Sequence, residues 1–317
     1  MRILITGGCG FIGSNFIRYL LKKYRNYRVI NLDKLTYAGN LDNLKDIKNG
    51  RNYTFVKGDI CNLRIVNQLV KDCDIVINFA AESHVDRSIM DPLEFIQTNV
   101  YGTCVLLQAV KKNRIPLFCQ ISTDEVYGSI KSGSFDENSP LKPNSPYAAS
   151  KASADLLCRS YLVTYGIQLM IIRSCNNFGP FQYPEKVMPL FITNILQGKK
   201  VPLYGQGRNI RDWLYVEDNC RAIDLILHKG KAGQIYNVGS DTEITNLKLT
   251  KLIAKKMGKD EKVIKYVKDR PGHDFRYSLK SSKIKALGFK PKYTFDKALD
   301  LTIQWYKDNR NWWKKLK

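Results

Sequence analysis

Two short stretches carry side chains suited to acid–base work: Ser122-Thr123-Asp124-Glu125 and Tyr147-Ala-Ala-Ser-Lys151. In the first, two carboxyls stand side by side with a hydroxyl next to them. Like charges held close push their pKa values apart, so one shared proton is the natural state at neutral pH. Such a pair offers an acid and a base at the same moment. In the second, Tyr147 and Lys151 are four apart and share one face if the segment is helical. An ammonium beside a phenol favours the phenolate and makes it a plausible base.

These stretches need a frame to bring them together. Leu117–Ile121 is an apolar run that reads as a buried strand, so Ser122–Glu125 falls at its carboxyl end. In open α/β sheets those ends face the ligand crevice. Further strand signals fall at Arg2–Thr6, Tyr27–Leu32, Tyr53–Val56, Asp74–Ala80 and Gln168–Arg173. Helical periodicity separates them, at Leu63–Lys71, Glu94–Lys112 and Tyr147–Tyr165. The alternation predicts an α/β fold with a doubly wound parallel sheet. After Arg173 the rhythm loosens, although a helix is expected at Val216–His228 and Gln234–Val238 could return a strand to the sheet. The expected division is residues 1–175, rejoined by 212–240, as a dinucleotide-binding Rossmann domain. Residues 176–211 and 241–317 then form a smaller mixed α/β lobe that takes the substrate.

Gly8-x-Gly10-x-x-Gly13 follows the first strand and opens a helix, the context in which glycines let backbone N–H groups approach a pyrophosphate. Asp33 ends the next strand, twenty residues past Gly13, where a carboxylate can accept from a ribose 2′-hydroxyl and repel a 2′-phosphate. NAD is therefore expected over NADP, with neighbouring Lys34 as a cation that could soften the exclusion.

Composition excludes several classes. With 44% hydrophobic residues in 317, the chain can bury a full core. No apolar run approaches the ~20 residues of a spanning helix, so a membrane protein is not expected. The eight cysteines are scattered and form no Cys-x-x-Cys, which suits reduced thiols in the cytoplasm. Three dispersed histidines without His-x-x-x-His leave no expected metal site. The net charge of +22 is spread over separate lysine-rich segments, which reads as solvated surface; nucleic acid is not the expected partner.

Gly7-x-x-Gly10-x-x-Gly13 and Tyr147-x-x-x-Lys151, in this order, resemble the extended short-chain dehydrogenase/reductase superfamily. Leu35–Leu41, Ala80–Ser88, Ser122–Gly128, Asn176–Pro180, Arg211–Val216 and Asp269–His273 resemble its nucleoside-diphosphate-sugar 4,6-dehydratases, over nearly the whole chain. The Thr123-Asp124-Glu125 segment is the narrowest signal, because the related 4-epimerases lack that acid pair. Only eighteen residues separate Gly128 from Tyr147, fewer than in many bacterial members, so the rim of the site is expected to differ.

The resemblance implies oxidation of a glucosyl C4 hydroxyl by NAD, loss of water across C5–C6, and hydride return to C6. Thr123, Asp124, Glu125, Tyr147 and Lys151 would be catalytic. Tyr147 would take the C4 hydroxyl proton with Lys151 lowering its pKa, and Thr123 would bond the same oxygen. Glu125 would take the C5 proton, and Asp124, held protonated, would donate to the leaving C6 hydroxyl. Cofactor contacts would come from Gly7, Gly10, Phe11, Ile12, Gly13, Asp33, Lys34, Asp59, Ile60, Ala80, Ala81, Ser83, Asn99, Ser122 and Asn177, besides Tyr147 and Lys151. The sugar nucleotide would meet Ser83, Thr123, Asn176, Lys186, Val187, Pro202, Tyr204, Arg211, Asn246, Arg270 and His273, with the arginines suited to a diphosphate. Glu94–Lys112 and Tyr147–Tyr165 resemble the helix pair that forms a four-helix homodimer interface in this superfamily. dTDP-glucose is the expected substrate, with UDP- or CDP-glucose as alternatives. A 4-epimerase and a non-catalytic NAD- or nucleic-acid-binding protein are the more distant readings.

Overall fold

The computed structural model describes residues 1–48 and 50–317. Its organising element is a seven-stranded, wholly parallel sheet. Six strands come from residues 2–174: β1 (Arg2–Thr6), β2 (Arg28–Asp33), β3 (Tyr53–Lys57), β4 (Ile75–Asn78), β5 (Leu117–Thr123) and β6 (Leu169–Ser174). After β7 (Asn176–Phe178), β8 (Val201–Tyr204) and β9 (Ile210–Tyr215), strand β10 (Ile235–Val238) comes back to pair with β6. The order across the sheet is β3-β2-β1-β4-β5-β6-β10. The sequence order reverses between β1 and β4, and such a switch point opens a crevice at the strands' carboxyl ends.

The central strands read as nearly continuous apolar runs because both faces are covered by helices. Ile3, Leu4 and Ile5 of β1 are all buried, as are Phe118, Cys119 and Ile121 of β5, and they divide between two cores, one on each side of the sheet.

The helix Pro146–Tyr165 is delimited by its ends. The Ser145 hydroxyl accepts from the Ala148 N–H, Pro146 takes the first turn where no N–H is needed, and Gly166 stops the helix at φ 66°. The helix before it, Leu93–Asn113, is not uniform. Ile96–Gly102 winds as a π-helix between α-helical turns, a local widening common at functional sites.

Two small sheets complete the chain. β9 lies between β11 (Glu243–Thr245) and β7, and β8 pairs with β12 (Ile264–Val267). With the helices Val187–Leu196, Asn246–Lys256 and Phe295–Asp308 they enclose a third core that includes Phe178, Trp213, Tyr306 and Trp313. Among the described residues, no helix is long and apolar enough to cross a membrane.

Candidate active site

Two adjoining clefts open along the carboxyl ends of the main sheet. The first, of about 230 Å³, is floored by the glycine turn after β1. Gly7 sits at φ 69°, and a Cβ there would come 2.5 Å from the Ala80 backbone nitrogen, so only glycine lets the turn pass this close to β4. A side chain at Gly13 would strike the Gly7 carbonyl. The helix Phe11–Lys23 starts immediately after the turn and points the positive end of its dipole into the cleft. A cradle of this shape fits the pyrophosphate and sugars of a dinucleotide.

Most of the expected cofactor residues line this first cleft: Gly7, Gly10, Phe11, Ile12, Gly13, Asp33, Lys34, Asp59, Ile60, Ala80, Ala81, Ser83, Ser122, Tyr147 and Lys151. Asp33 accepts from the Cys9 and Leu35 N–H groups, each at 2.8 Å, which fixes the carboxylate in place and leaves lone pairs for a ligand. Burial raises its pKa, while those two backbone bonds act the other way. Lys34 does not turn towards Asp33. Its ammonium pairs with Asp59 at 2.8 Å, so the feared softening cation already has a counter-charge.

Two expected cofactor contacts lie elsewhere. Asn99 is buried in the π-helical turn, and its amide bonds both the N–H and the carbonyl of Glu82 and donates to the Ser150 hydroxyl at 2.8 Å. Every polar atom of its side chain is engaged with protein, so it fixes the Glu82–Ser83 segment against the Tyr147 helix rather than facing the cleft. Asn177 lines the second cleft instead, because β7 leaves the main sheet and joins β9.

The second cleft, of about 190 Å³, gathers residues from across the chain. Ser83, Asn176, Lys186, Val187, Pro202, Tyr204, Arg211, Asn246, Arg270 and His273 all line it, together with Glu125. Ser83, Gln182, Glu185 and Lys186 line both clefts and so mark where they meet. Several buried polar atoms here lack a hydrogen-bond partner among the described residues: Asn176 Oδ1, Asn177 Oδ1, Gln182 Oε1 and Arg270 Nε. Buried polar atoms are normally satisfied, so this concentration marks a place shaped for a polar ligand. Arg211 is less free than a phosphate clamp requires. Its terminal nitrogens donate to the carbonyls of Ile210, Asp274 and Phe275, and its guanidinium stacks 4.2 Å over the Tyr277 ring. Arg270 donates one bond, at 3.1 Å, to Asp86, which also accepts from the Tyr204 hydroxyl.

The end of β5 joins the clefts, with Ser122 on the first and Glu125 on the second. Thr123 and Asp124, between them, are buried and line neither. The Thr123 hydroxyl caps the short 3-10 turn Asp124–Tyr127 by accepting from the Glu125 N–H, and it donates to Asp124 Oδ1 at 3.2 Å. Asp124 Oδ2 has no partner among the described residues. Burial and then the neighbouring Glu125 push the Asp124 carboxyl well above the usual range, while Arg211 opposes them. Glu125 is also raised by burial, but Arg211, Arg270 and Lys186 pull it back. More cations therefore favour the ionised form of Glu125, and Asp124 is the member that keeps the proton.

Tyr147 departs from the sequence expectation. Burial, then the carboxylates of Glu125 and Asp124, hold its phenol above the ordinary value. Lys151 does not offset them: its ammonium donates to the Ile121 carbonyl at 2.6 Å, and burial lowers its own pKa. Burial and the nearby Glu125 are thus the main influences that hold the phenol protonated.

The sequence also left several participants unnamed. Tyr277 projects into the second cleft, 3.5 Å from Glu125 Oε2, and donates to Asp274 at 2.6 Å. Glu185, at the junction, accepts from the Tyr37 hydroxyl at 2.7 Å and lies 3.4 Å from the Arg87 guanidinium. Glu82 is buried on the first cleft. Each stands in a segment quoted for its resemblance or beside one, but its neighbours in space are up to 152 residues away.

Residues 4–302 match the sequence family described as GDP-mannose 4,6 dehydratase. The dTDP-glucose 4,6-dehydratase of Streptomyces niveus is 51% identical, over 100% of this chain and 96% of its own length. A crystal structure of the dTDP-glucose 4,6-dehydratase of Streptomyces venezuelae, with NAD bound, superposes with a TM-score of 0.99 at 49% identity, covering 100% of both chains. The UDP-glucose 4-epimerase of Thermotoga maritima superposes at 0.91 with 30% identity, covering 98% of this chain and 100% of that one. The fold is therefore common to dehydratases and epimerases, and discrimination rests on the site residues. Full-length similarity at this level, on a chain that sets an acid pair between a dinucleotide cleft and a polar second cleft, places the protein in the nucleoside-diphosphate-sugar 4,6-dehydratase family.

Proposed function

We propose that the chain converts dTDP-glucose to dTDP-4-keto-6-deoxyglucose and water. The carrying observation is the position of the acid pair: Glu125 faces the second cleft, and Asp124 beside it is buried with one oxygen unpartnered. An epimerase has no elimination for such a pair to perform. The first cleft would hold NAD and the second the sugar nucleotide, with the glucosyl unit at the junction. Held there by residues such as Gly7, Gly10, Gly13 and Asp33, NAD would supply the hydride acceptor for C4 and the hydride donor for C6.

The residues divide the proton chemistry. Tyr147 takes the C4 hydroxyl proton, while the Thr123 hydroxyl donates to Asp124 and steadies that acid, and the resulting C4 ketone makes the C5 proton acidic. Glu125 removes that proton. Asp124 gives its own to the leaving C6 hydroxyl, so water departs across C5–C6. Each such acid or base contributes ~10²–10⁴ in rate. Lys186 and Ser83 hold the junction, where the Lys186 ammonium donates to the Ser83 carbonyl at 2.6 Å. Arg270, Tyr204, Asn246 and His273 face the nucleotide, and Arg211 acts mainly as a buried brace and cation near Glu125.

We place the cofactor part at residues 1–175 with 212–240 and the sugar-nucleotide lobe at 176–211 with 241–317; most of the third core lies in the lobe, while its Trp213 and Tyr215, on β9, fall in 212–240. Exposed Leu93, Ile96, Leu156 and Val163 form apolar ground on the two helices expected to pair in a homodimer. All eight cysteines are free thiols, which supports a reducing cytoplasmic setting. The test is incubation with dTDP-, UDP- and CDP-glucose. A 4-keto-6-deoxy product from the dTDP sugar supports the proposal; a C4 epimer, or no product from any of the three, defeats it.

A further inference from the structure

Beneath the Tyr147–Lys151 face lies a charged cluster that the proton chemistry does not use. Asp155 follows Lys151 by one helical turn, so Tyr147, Lys151 and Asp155 align along one side of Pro146–Tyr165. Asp155 is only 2% exposed. Its Oδ2 accepts from the Ser122 hydroxyl at 3.0 Å and from Arg173 Nε at 2.8 Å, while its Oδ1 is buried without a partner. Ser122 and Arg173 are register partners on β5 and β6, so a single carboxylate clips the helix to two adjacent strands. Arg173 is itself buried and donates to the Tyr127 hydroxyl at 2.8 Å; that hydroxyl donates to Asn237 on β10 at 2.8 Å.

A buried ion pair is seldom the cheapest way to stabilise a core, since apolar residues of similar volume often do as well or better. Its location suggests another use. We infer that Asp155, held by Ser122 and Arg173, is a positioning residue for the reaction: it supplies the buried counter-charge of Lys151 and fixes the Tyr147–Lys151 face against the end of β5.

The surroundings of Lys151 support this. Burial drives its pKa down, and Asp155 is the foremost opposing influence, followed by Cys158 on the same helix. Cys158 is a poor counter-charge, because burial keeps its thiol protonated. From β5, Asp124 and Glu125 act on Tyr147, and Cys119 is a buried thiol that burial keeps protonated. From β6, Arg173 engages Asp155 rather than Lys151. Asp155, one helical turn from Lys151 and clipped to Ser122 and Arg173, is thus the carboxylate placed to balance that ammonium, which donates to the Ile121 carbonyl.

The inference rests on the reading of Tyr147 and Lys151 as the pair at the C4 alcohol, but its test does not. In ¹³C-lysine-labelled protein the Lys151 Cε resonance, assigned with Lys151→Arg, reports the ammonium directly. Asp155→Asn should lower the titration midpoint of Lys151 by about one pH unit or more, which is tenfold or more in proton affinity. In turnover, kcat should lose its alkaline limb at correspondingly lower pH with little change in KM, and Asp155→Glu should restore the wild-type limb. If Asp155→Asn does not fold, Asp155→Asn with Arg173→Gln removes both charges together and should show the same downward shift. An unmoved Lys151 midpoint in either variant, or a loss confined to KM or to thermal stability, overturns the inference. A wild type that yields no keto sugar would instead defeat the dehydratase proposal and leave the Lys151 titration standing.

Discussion

Replacing Asp124 by Asn is the sharpest perturbation of the site, because it keeps shape and removes one proton. The residue is 2% exposed, with Oδ1 accepting from Thr123 at 3.2 Å and Oδ2 unpartnered, so an amide fits without new space. Loss of a general acid costs ~10²–10⁴ in rate, about 3–5 kcal/mol of barrier. C4 oxidation does not need Asp124, so reduced cofactor should accumulate on the enzyme and be visible by its absorbance in a single turnover. Stability should move the opposite way. The folded pKa of Asp124 is raised above its unfolded value near 3.9. The folded state therefore holds the proton more tightly, and the contribution of this group to stability is full below about pH 4. It falls by about 1.4 kcal/mol per pH unit as pH rises towards the folded pKa. Asn carries no such proton, so the variant should match the wild type near pH 4 and melt at higher temperature at neutral pH. Near-normal kcat in the variant, or a melting difference independent of pH, would refute the role given to Asp124.

Glu125→Gln should retain NAD and sugar-nucleotide binding and lose at least ~10² in elimination; exchange of the C5 proton with deuterated water at the wild-type rate would exclude Glu125 as the base. NAD should bind at least ~100-fold more tightly than NADP, since a phosphate about 5 Å from Asp33 costs about 3 kcal/mol at an effective dielectric near 20. Equal affinities in a fluorescence titration would remove Asp33 from the ribose site. Sedimentation at micromolar concentration should give a dimer, and Leu93→Glu with Val163→Glu should give monomers; a monomeric wild type contradicts the helix-pair interface.

The main sheet was readable because its strands are buried on both faces: runs such as Ile3-Leu-Ile5 and Leu117–Ile121 need no tertiary information. The glycine turn was equally local, since Gly7 to Gly10 form one turn and Gly13 sits in the first turn of the helix that follows. The second cleft was less legible. β7, β8, β11 and β12 are three or four residues long, too short for a periodicity, and they form only by pairing across distant segments. Asn99 was expected as a cofactor contact only through the family resemblance, and here Glu82 and Ser150 take its bonds. Tyr277 was passed over because nothing in its own stretch shows that it reaches Glu125. The charge balance at Tyr147 was misjudged for a related reason: spacing places Lys151 nearby but cannot show that its ammonium turns to the Ile121 carbonyl.

The most direct measurement is of where the hydride goes. With dTDP-glucose deuterated at C4, the product should be a 4-keto-6-deoxy sugar carrying that deuterium at C6. Deuterium recovered at C4 of an epimerised hexose, or washed into solvent, would contradict an internal oxidation, elimination and reduction at this site.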